Sequence, residues 1–206
     1  MNITRLSEST DPMAVRVALA AYTGRCAFDI GANQGQSARV LAQHFEQVVS
    51  FEPCHESFIL LEDSVPENVM PLPYGVTSAN GFLTLTESEN SIRTGQLTTG
   101  SGLNWGQPVG ERNVEGRTLD TLCLMLKLVP DFVKIDVEGH ELEVLRGGHG
   151  LFLGPKPRLL IEVHRARFED QIRFLLLHYD FDVIERGAHP GIPPEEGHLW
   201  LRGAAR

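Results

Sequence analysis

The stretch Cys26-Ala27-Phe28-Asp29-Ile30-Gly31-Ala32-Asn33-Gln34-Gly35 constrains the chain more than any other, because an apolar run ends in an acid and passes directly into a glycine turn. Phe28 and Ile30 favour a pleated, buried strand, whereas Gly31 and Gly35 permit conformations and close approaches that a Cβ forbids. Residues 36–45 have helical composition, so the turn opens a helix, where unpaired N–H groups favour an anion. Strand, glycine turn and helix in this order describe a nucleotide-cofactor site in an α/β fold, against the plainer reading of an ordinary strand-turn-helix.

The spacing narrows the ligand. Asp29-x-Gly31-x-x-x-Gly35 lacks the third glycine of the dinucleotide fingerprint and the Lys-Ser/Thr of a P-loop. An acid at the strand end repels a pyrophosphate but suits a ligand that carries an ammonium and a sulfonium. S-adenosylmethionine carries both.

Composition bounds the remaining possibilities. A chain of 206 residues with 42% hydrophobic content fits one compact domain over residues 1–206. Its formal charge of -9 and the lack of a basic run disfavour nucleic-acid binding, which needs clustered Lys and Arg. Cys26, Cys54 and Cys123 are odd in number and widely spaced, as expected of reduced thiols in a cytoplasmic protein. No apolar run approaches the roughly 20 residues of a membrane span, and no secretory signal pattern opens the chain.

Along the chain, Asp11-Pro12 signals a helix over residues 13–22, so residues 1–23 read as an N-terminal helical cover. Residues 48–53 form a second strand that ends in Glu52, about 20 residues past the turn, where nucleotide folds place a carboxylate for ribose hydroxyls. A third strand over 69–76 is broken by Pro71 and Pro73, as suits an edge, and the turn after it puts Thr77 and Ser78 beside an adenine. Residues 87–112, rich in Ser, Thr, Gly and Asn, read as a mobile substrate loop around Trp105. Residues 114–117 read as a connection into a helix capped by Thr118.

The fourth strand, 131–137, carries two charges. Alternation puts Lys134 and Asp136 on one face, and Glu162 and His164 share a face of the fifth strand, 158–164. A buried lysine needs a partner, and Glu162 is the one expected if these strands are neighbours. Asp136, Glu138 and His164 then meet at the carboxyl edge of the sheet, where open α/β sheets bind ligands. They are the candidate catalytic residues. A divalent metal there has suitable oxygen and imidazole ligands, but no metal-spaced motif requires it, and a metal-free site is expected.

Taken together, Asp29 to Gly35, Phe51-Glu52-Pro53, Thr118-Leu119-Asp120, Lys134-Ile135-Asp136-Val137-Glu138-Gly139 with Glu141, and Glu162-Val163-His164 resemble the FkbM-type methyltransferases. The resemblance covers roughly residues 27–200. It implies a class I Rossmann-like fold, a seven-stranded, mostly parallel sheet of order 3-2-1-4-5-7-6 with helices on both faces, and S-adenosylmethionine as methyl donor. Carried over, Asp29, Gly31, Asn33 and Gly35 hold the methionine part and Glu52 the ribose, while Asp136 lies near the methyl group.

The expected reaction is O-methylation of a hydroxyl on a small-molecule acceptor, a sugar or secondary metabolite. Asp136 orients that acceptor and His164, with an ordinary pKa of about 6.5, takes its proton. Two alternatives stay open: a catalytically silent S-adenosylmethionine-binding protein and a nicotinamide-dependent oxidoreductase. No nucleic-acid or membrane partner is expected.

Overall fold

The computed structural model describes residues 22–88, 96–98, 108–164, 166–188 and 199–206. Apart from Tyr22 and Thr23, the N-terminal cover expected over residues 1–23 lies outside them, as does Trp105.

Strand β1 (Gly24–Ile30) leads through the glycine turn into α1 (Gln36–Leu41) and β2 (Phe45–Phe51), followed by α2 (His55–Ser64) and β3 (Val69–Leu72). Four strands come next, β4 (Gly75–Val76), β5 (Gly81–Ser88), β6 (Gln96–Thr98) and β7 (Pro108–Arg117). Then follow α3 (Leu119–Leu126), β8 (Phe132–Ile135), α4 (Glu141–Gly147), α5 (His149–Leu153), β9 (Arg158–Val163), α6 (Ala166–His178), β10 (Phe181–Ala188) and β11 (Leu199–Ala205).

Seven strands form the main sheet in the order β3-β2-β1-β8-β9-β11-β10. Numbered along that sheet alone, the order is 3-2-1-4-5-7-6, with β11 antiparallel to both of its neighbours and the other pairs parallel. Alternate residues of the central strands enter two separate cores. Phe28, Ile30, Val133, Ile135 and Ile161 pack with Leu122 of α3, Val144 of α4, Phe152 of α5 and Leu176 of α6. Ala27, Val48, Phe132 and Leu160 pack on the other face with Leu41 of α1 and Leu61 of α2. Burial on both faces explains why these strands read as continuous apolar runs, each large side chain contributing about 1.5–3 kcal/mol.

The second sheet, of order β4-β7-β5-β6, was not anticipated. The expected third strand divides at Pro73: Val69–Leu72 edges the main sheet and Gly75–Val76 joins the second. The expected loop over residues 87–112 is strand at both its ends, because β5 runs to Ser88 and β7 starts at Pro108, in antiparallel register. Residues 114–117, expected as a connection, belong to β7, where Val114 and Gly116 are buried and Glu115 is not. A small satellite core of Leu85, Val114 and Cys54 fastens this sheet to the start of α2. Residues 82–86 of β5 alternate as a half-exposed strand is expected to, whereas β7, with Val109 and Val114 its only large apolar residues, lacks that mark. Thr118 caps α3 as expected, its side chain accepting from the Thr121 N–H.

Candidate functional site

The carboxyl ends of β1, β2 and β8 open onto one cleft, lined by Ile30, Gly31, Asn33, Phe51, Glu52, Pro53, Tyr74, Val76, Asp136, Val137 and Glu138. Apolar walls with a few convergent polar groups are the usual composition of small-molecule sites.

The turn after β1 is tied to both neighbouring strands. Gly31 and Ala32 donate their N–H groups to the Phe51 carbonyl at 3.0 and 3.1 Å, and Asp136 donates its N–H to the Ile30 carbonyl at 3.0 Å. Gly31 has φ +77°, and a Cβ there would stand 1.7 Å from the Asp136 carbonyl oxygen. This glycine is therefore required by the neighbouring backbone as well as by its own conformation. Gly35 at φ +83° is closed in by Leu61 and Val65 and does not line the cleft, and it seats the start of α1.

Glu52 stands at the end of β2, 7% exposed. One carboxylate oxygen accepts the Cys54 N–H and the other the Asn33 N–H, each at 2.8 Å. Burial pushes its carboxyl up to about 7, against the opposing pull of those two hydrogen bonds. Each oxygen keeps acceptor capacity toward the cleft.

Asp29, expected in direct contact with a ligand, is fully buried beneath the cleft. Register sets it opposite Lys134 across the β1–β8 pair, and Lys134 Nζ lies 3.4 Å from its carboxylate. Lys134 also lies 3.0 Å from Asp136 Oδ2 and donates to the Gly31 carbonyl at 3.2 Å. The partner expected for Lys134 was Glu162. Register opposes Lys134 to Leu160 instead, and Glu162 lies beyond, hydrogen-bonded to Asp136.

Asp136, Glu138 and His164 come together as expected. His164 Nε2 lies 3.4 Å from Asp136 Oδ1 and 3.5 Å from Glu138 Oε2, and its Nδ1 lies 2.8 Å from Glu141 Oε1. The three differ in access: the His164 side chain is 3% exposed, that of Asp136 15% and that of Glu138 33%, and the last two line the cleft. Burial alone would lower the His164 pKa, but the charges of Glu138, Glu141 and Glu162 outweigh it and hold the imidazole well above its ordinary value. Burial likewise opposes ionisation of Asp136, yet Lys134 and His164 keep it below the usual carboxylate range. Burial raises Glu138, with His164 pulling the other way. The imidazole expected at its ordinary pKa is thus raised behind the cleft wall, with the raised carboxyl of Glu138 in front of it. Glu138 takes φ +53°, an uncommon conformation for a non-glycine residue that turns the chain at this wall.

Thr77 and Ser78, expected beside an adenine, do not line the cleft. Thr77 is buried with its hydroxyl 2.9 Å from His140 Nε2, and Ser78 donates to Glu143 at 2.5 Å. Both side chains fasten the segment after β4 to the start of α4. Tyr74, Val76, Pro53 and Val137 line the cleft in their place. The one signal that could have found them was their position at or just after strand ends. Asp136, Glu138 and His164 each offer one ligand-type atom within 4.8 Å of the others, but Lys134 and the imidazolium already supply positive charge to that cluster.

Comparison with known proteins agrees with this layout. The hexuronic acid methyltransferase AglP of Haloferax volcanii is 32% identical over 124 residues, 58% of this chain and 48% of that protein. The chain thus spans about half the length of this curated relative. The crystal structure of methyltransferase FkbM from Methylobacillus flagellatus KT superposes with a TM-score of 0.63 at 17% identity, covering 98% of this chain and 56% of that one. N-methyltransferase NodS from Bradyrhizobium japonicum WM9, in complex with S-adenosyl-L-homocysteine, superposes with a TM-score of 0.54 at 10% identity, over 93% of this chain and 83% of that one. The two structural likenesses show the class I methyltransferase fold. Residues 29–184 match the model of the methyltransferase FkbM domain, and the chain belongs to the FkbM methyltransferase family.

Proposed function

We propose that this chain is an S-adenosylmethionine-dependent methyltransferase that methylates a hydroxyl on a small molecule, with a sugar acid as the first acceptor to test. The observation that carries the reading is the pairing, across one cleft, of a buried glutamate at the tip of β2 with two acids at the tip of β8. Glu52 accepts ribose hydroxyls in this reading, which its acceptor oxygens at the cleft support, and Ile30, Phe51, Tyr74 and Val76 offer apolar walls for a base. Gly31 and Asn33 line the methionine side, where the carboxylates of Asp136 and Glu138 suit a cation. Asp29 serves that side from beneath by holding Lys134. S-adenosylmethionine, when bound there, supplies a methyl group on a sulfonium, already activated for in-line displacement.

The chain has then to align an acceptor and take its proton. Alignment is the larger contribution in such a reaction, worth up to several kcal/mol. Glu138 takes the hydroxyl proton, because it faces the cleft and burial makes it a stronger base than an ordinary carboxylate. Asp136, fixed by Lys134 and kept ionised, orients the acceptor. His164 stays charged behind them and holds both acids in place.

The relative that acts on a hexuronic acid supports a sugar acceptor. The NodS complex supports the donor, because the product form of S-adenosylmethionine occupies a protein of this fold. Three free cysteines fit a reducing, cytoplasmic setting. Among the described residues no helix is long and apolar enough to cross a membrane.

The test is titration calorimetry with S-adenosylmethionine and S-adenosylhomocysteine, followed by a screen of hexuronic acids and neutral sugars with labelled methyl donor. Micromolar binding and label on a sugar oxygen are expected. Absence of heat with either compound on folded protein ends the donor assignment. Binding without transfer to any acceptor favours the silent cofactor-binding alternative.

A further inference from the structure

We propose that Glu141 is a positioning residue of the methyl-transfer site, acting through His164 and through the turn at Glu138 and Gly139. The inference rests on the methyltransferase reading of the cleft given above. Glu141 is 1% exposed and lines no part of the cleft, so it acts only through other groups.

A single oxygen of this carboxylate does two things. Oε1 lies 2.8 Å from His164 Nδ1 and accepts the Gly139 N–H at 2.9 Å. The first contact gives the Nδ1–H a carboxylate to donate to and turns Nε2 toward Asp136 and Glu138. A buried carboxylate that holds a histidine in one orientation, and favours its charged form, is a recurring device of acid-base sites. The second contact pins a turn whose two residues both have positive φ, +53° at Glu138 and +98° at Gly139. The position of the cleft-facing carboxylate and the orientation of the imidazole behind it therefore share one anchor.

The other oxygen argues against plain architecture. Glu141 Oε2 is buried with no hydrogen-bond partner among the described residues. A buried carboxylate with half of its acceptor capacity unused is costly, and a glutamine or an apolar residue would pack there at lower cost. What the charge provides is a counter-ion for the imidazolium. His164 is faced by Asp136 and Glu138 from the turn after β8, by Glu141 from α4 and by Glu162 from β9, with Lys134 beyond Asp136. Glu141 contacts the ring at 2.8 Å, nearer than Asp136 at 3.4 Å or Glu138 at 3.5 Å.

The test uses Glu141→Gln, which keeps length and one acceptor oxygen but removes the charge, and Glu141→Ala, which removes both. Histidine ring signals of the labelled protein alone are followed by NMR against pH, and pH–rate profiles are then recorded with labelled donor. In Glu141→Gln the His164 pKa is expected to fall by about one unit or more, because a carboxylate in hydrogen-bond contact is lost. The alkaline limb of the rate should move by the same amount, with kcat down about 10- to 100-fold and donor affinity little changed. Glu141→Ala should lose more kcat than Glu141→Gln, because the turn at Gly139 is freed as well. An unshifted His164 in an active Glu141→Gln enzyme overturns this proposal alone. A loss of donor affinity as large as the loss of kcat also overturns it, by making Glu141 structural. The NMR titration needs neither donor nor acceptor, so a shifted His164 in a protein that binds no donor overturns the methyltransferase reading and, with it, the role in transfer.

Discussion

Glu52 accepts the backbone N–H of Asn33 at 2.8 Å, which joins the tip of β2 to the glycine turn that follows β1. Asn33 takes φ +47° at that point, so the acid that faces the cleft also fixes the turn beside it. Site and scaffold are coupled through one carboxylate.

Replacing Glu52 by alanine should weaken S-adenosylmethionine binding by about 10- to 100-fold, since hydrogen bonds to charged groups contribute about 1.5–3 kcal/mol each. Calorimetry measures this, with circular dichroism as the control for folding. Because burial places the Glu52 carboxyl at about 7, donor affinity of the unaltered protein should rise between pH 6 and pH 8 as the proton leaves. Flat affinity across that interval would remove Glu52 from the site.

Gly31→Ala should destabilise the protein by more than about 2 kcal/mol, visible as a fall in the urea midpoint. Its Cβ would overlap the Asp136 carbonyl, 1.7 Å away, in a backbone conformation that alanine avoids. Donor binding should fall with it, since the displaced backbone carries Asp136. An alanine variant with unchanged midpoint would show that the β1–β8 contact gives way easily.

Lys134→Met should cost about 3–5 kcal/mol, because it leaves Asp29 and Asp136 buried without their cation. Adding Asp29→Asn should recover part of that loss. The double-variant cycle in denaturant reads the coupling directly, and additive losses would contradict the pairing.

The pH–rate profile distinguishes the two possible bases. With Glu138 as base, the rate climbs as pH rises through its raised carboxyl pKa, and falls again as His164, also raised, loses its proton. With neutral His164 as base, the alkaline limb would rise instead. Stability has the same sign as the first case. A histidine whose pKa is raised by folding stabilises fully below about 6.5, and that contribution is lost as pH rises through the folded value. Thermal unfolding of wild type and His164→Asn from pH 6 to pH 10 should therefore converge at the alkaline end.

Exhaustive chelation should leave methyl transfer within about twofold of the untreated rate, since Lys134 and charged His164 compensate the acids that a divalent ion would need. Loss of activity restored by magnesium or manganese would overturn the metal-free assignment.

Much of the molecule was readable from pattern. Apolar runs doubly buried in β1, β2, β8 and β9, each ending in a ligand-type residue or a glycine, announce a parallel sheet and its functional edge. Thr118 as a cap and Pro73 as a break were legible for equally local reasons. The second sheet was legible only in part: the alternation of residues 82–86 marks β5 as a half-exposed strand, but the polar β7 that pairs with it resembles a loop. Thr77, Ser78 and Gly35 lie off the cleft for a related reason: proximity along the chain to a cofactor turn does not say which groups reach the cleft.

By itself, the sequence marked the central strands and the edge at which Glu52, Asp136, Glu138 and His164 gather, because periodicity, turn residues and strand ends are local properties, whereas the crossover order came from the resemblance to the FkbM family. Only the tertiary structure decided which acid meets which base. Strand register set Asp29, rather than Glu162, opposite Lys134. Packing then drew His164 behind Glu138, where several carboxylates at close range keep it charged. Charge pairing and access depend on distances between strands far apart in the chain, and no short-range pattern encodes them.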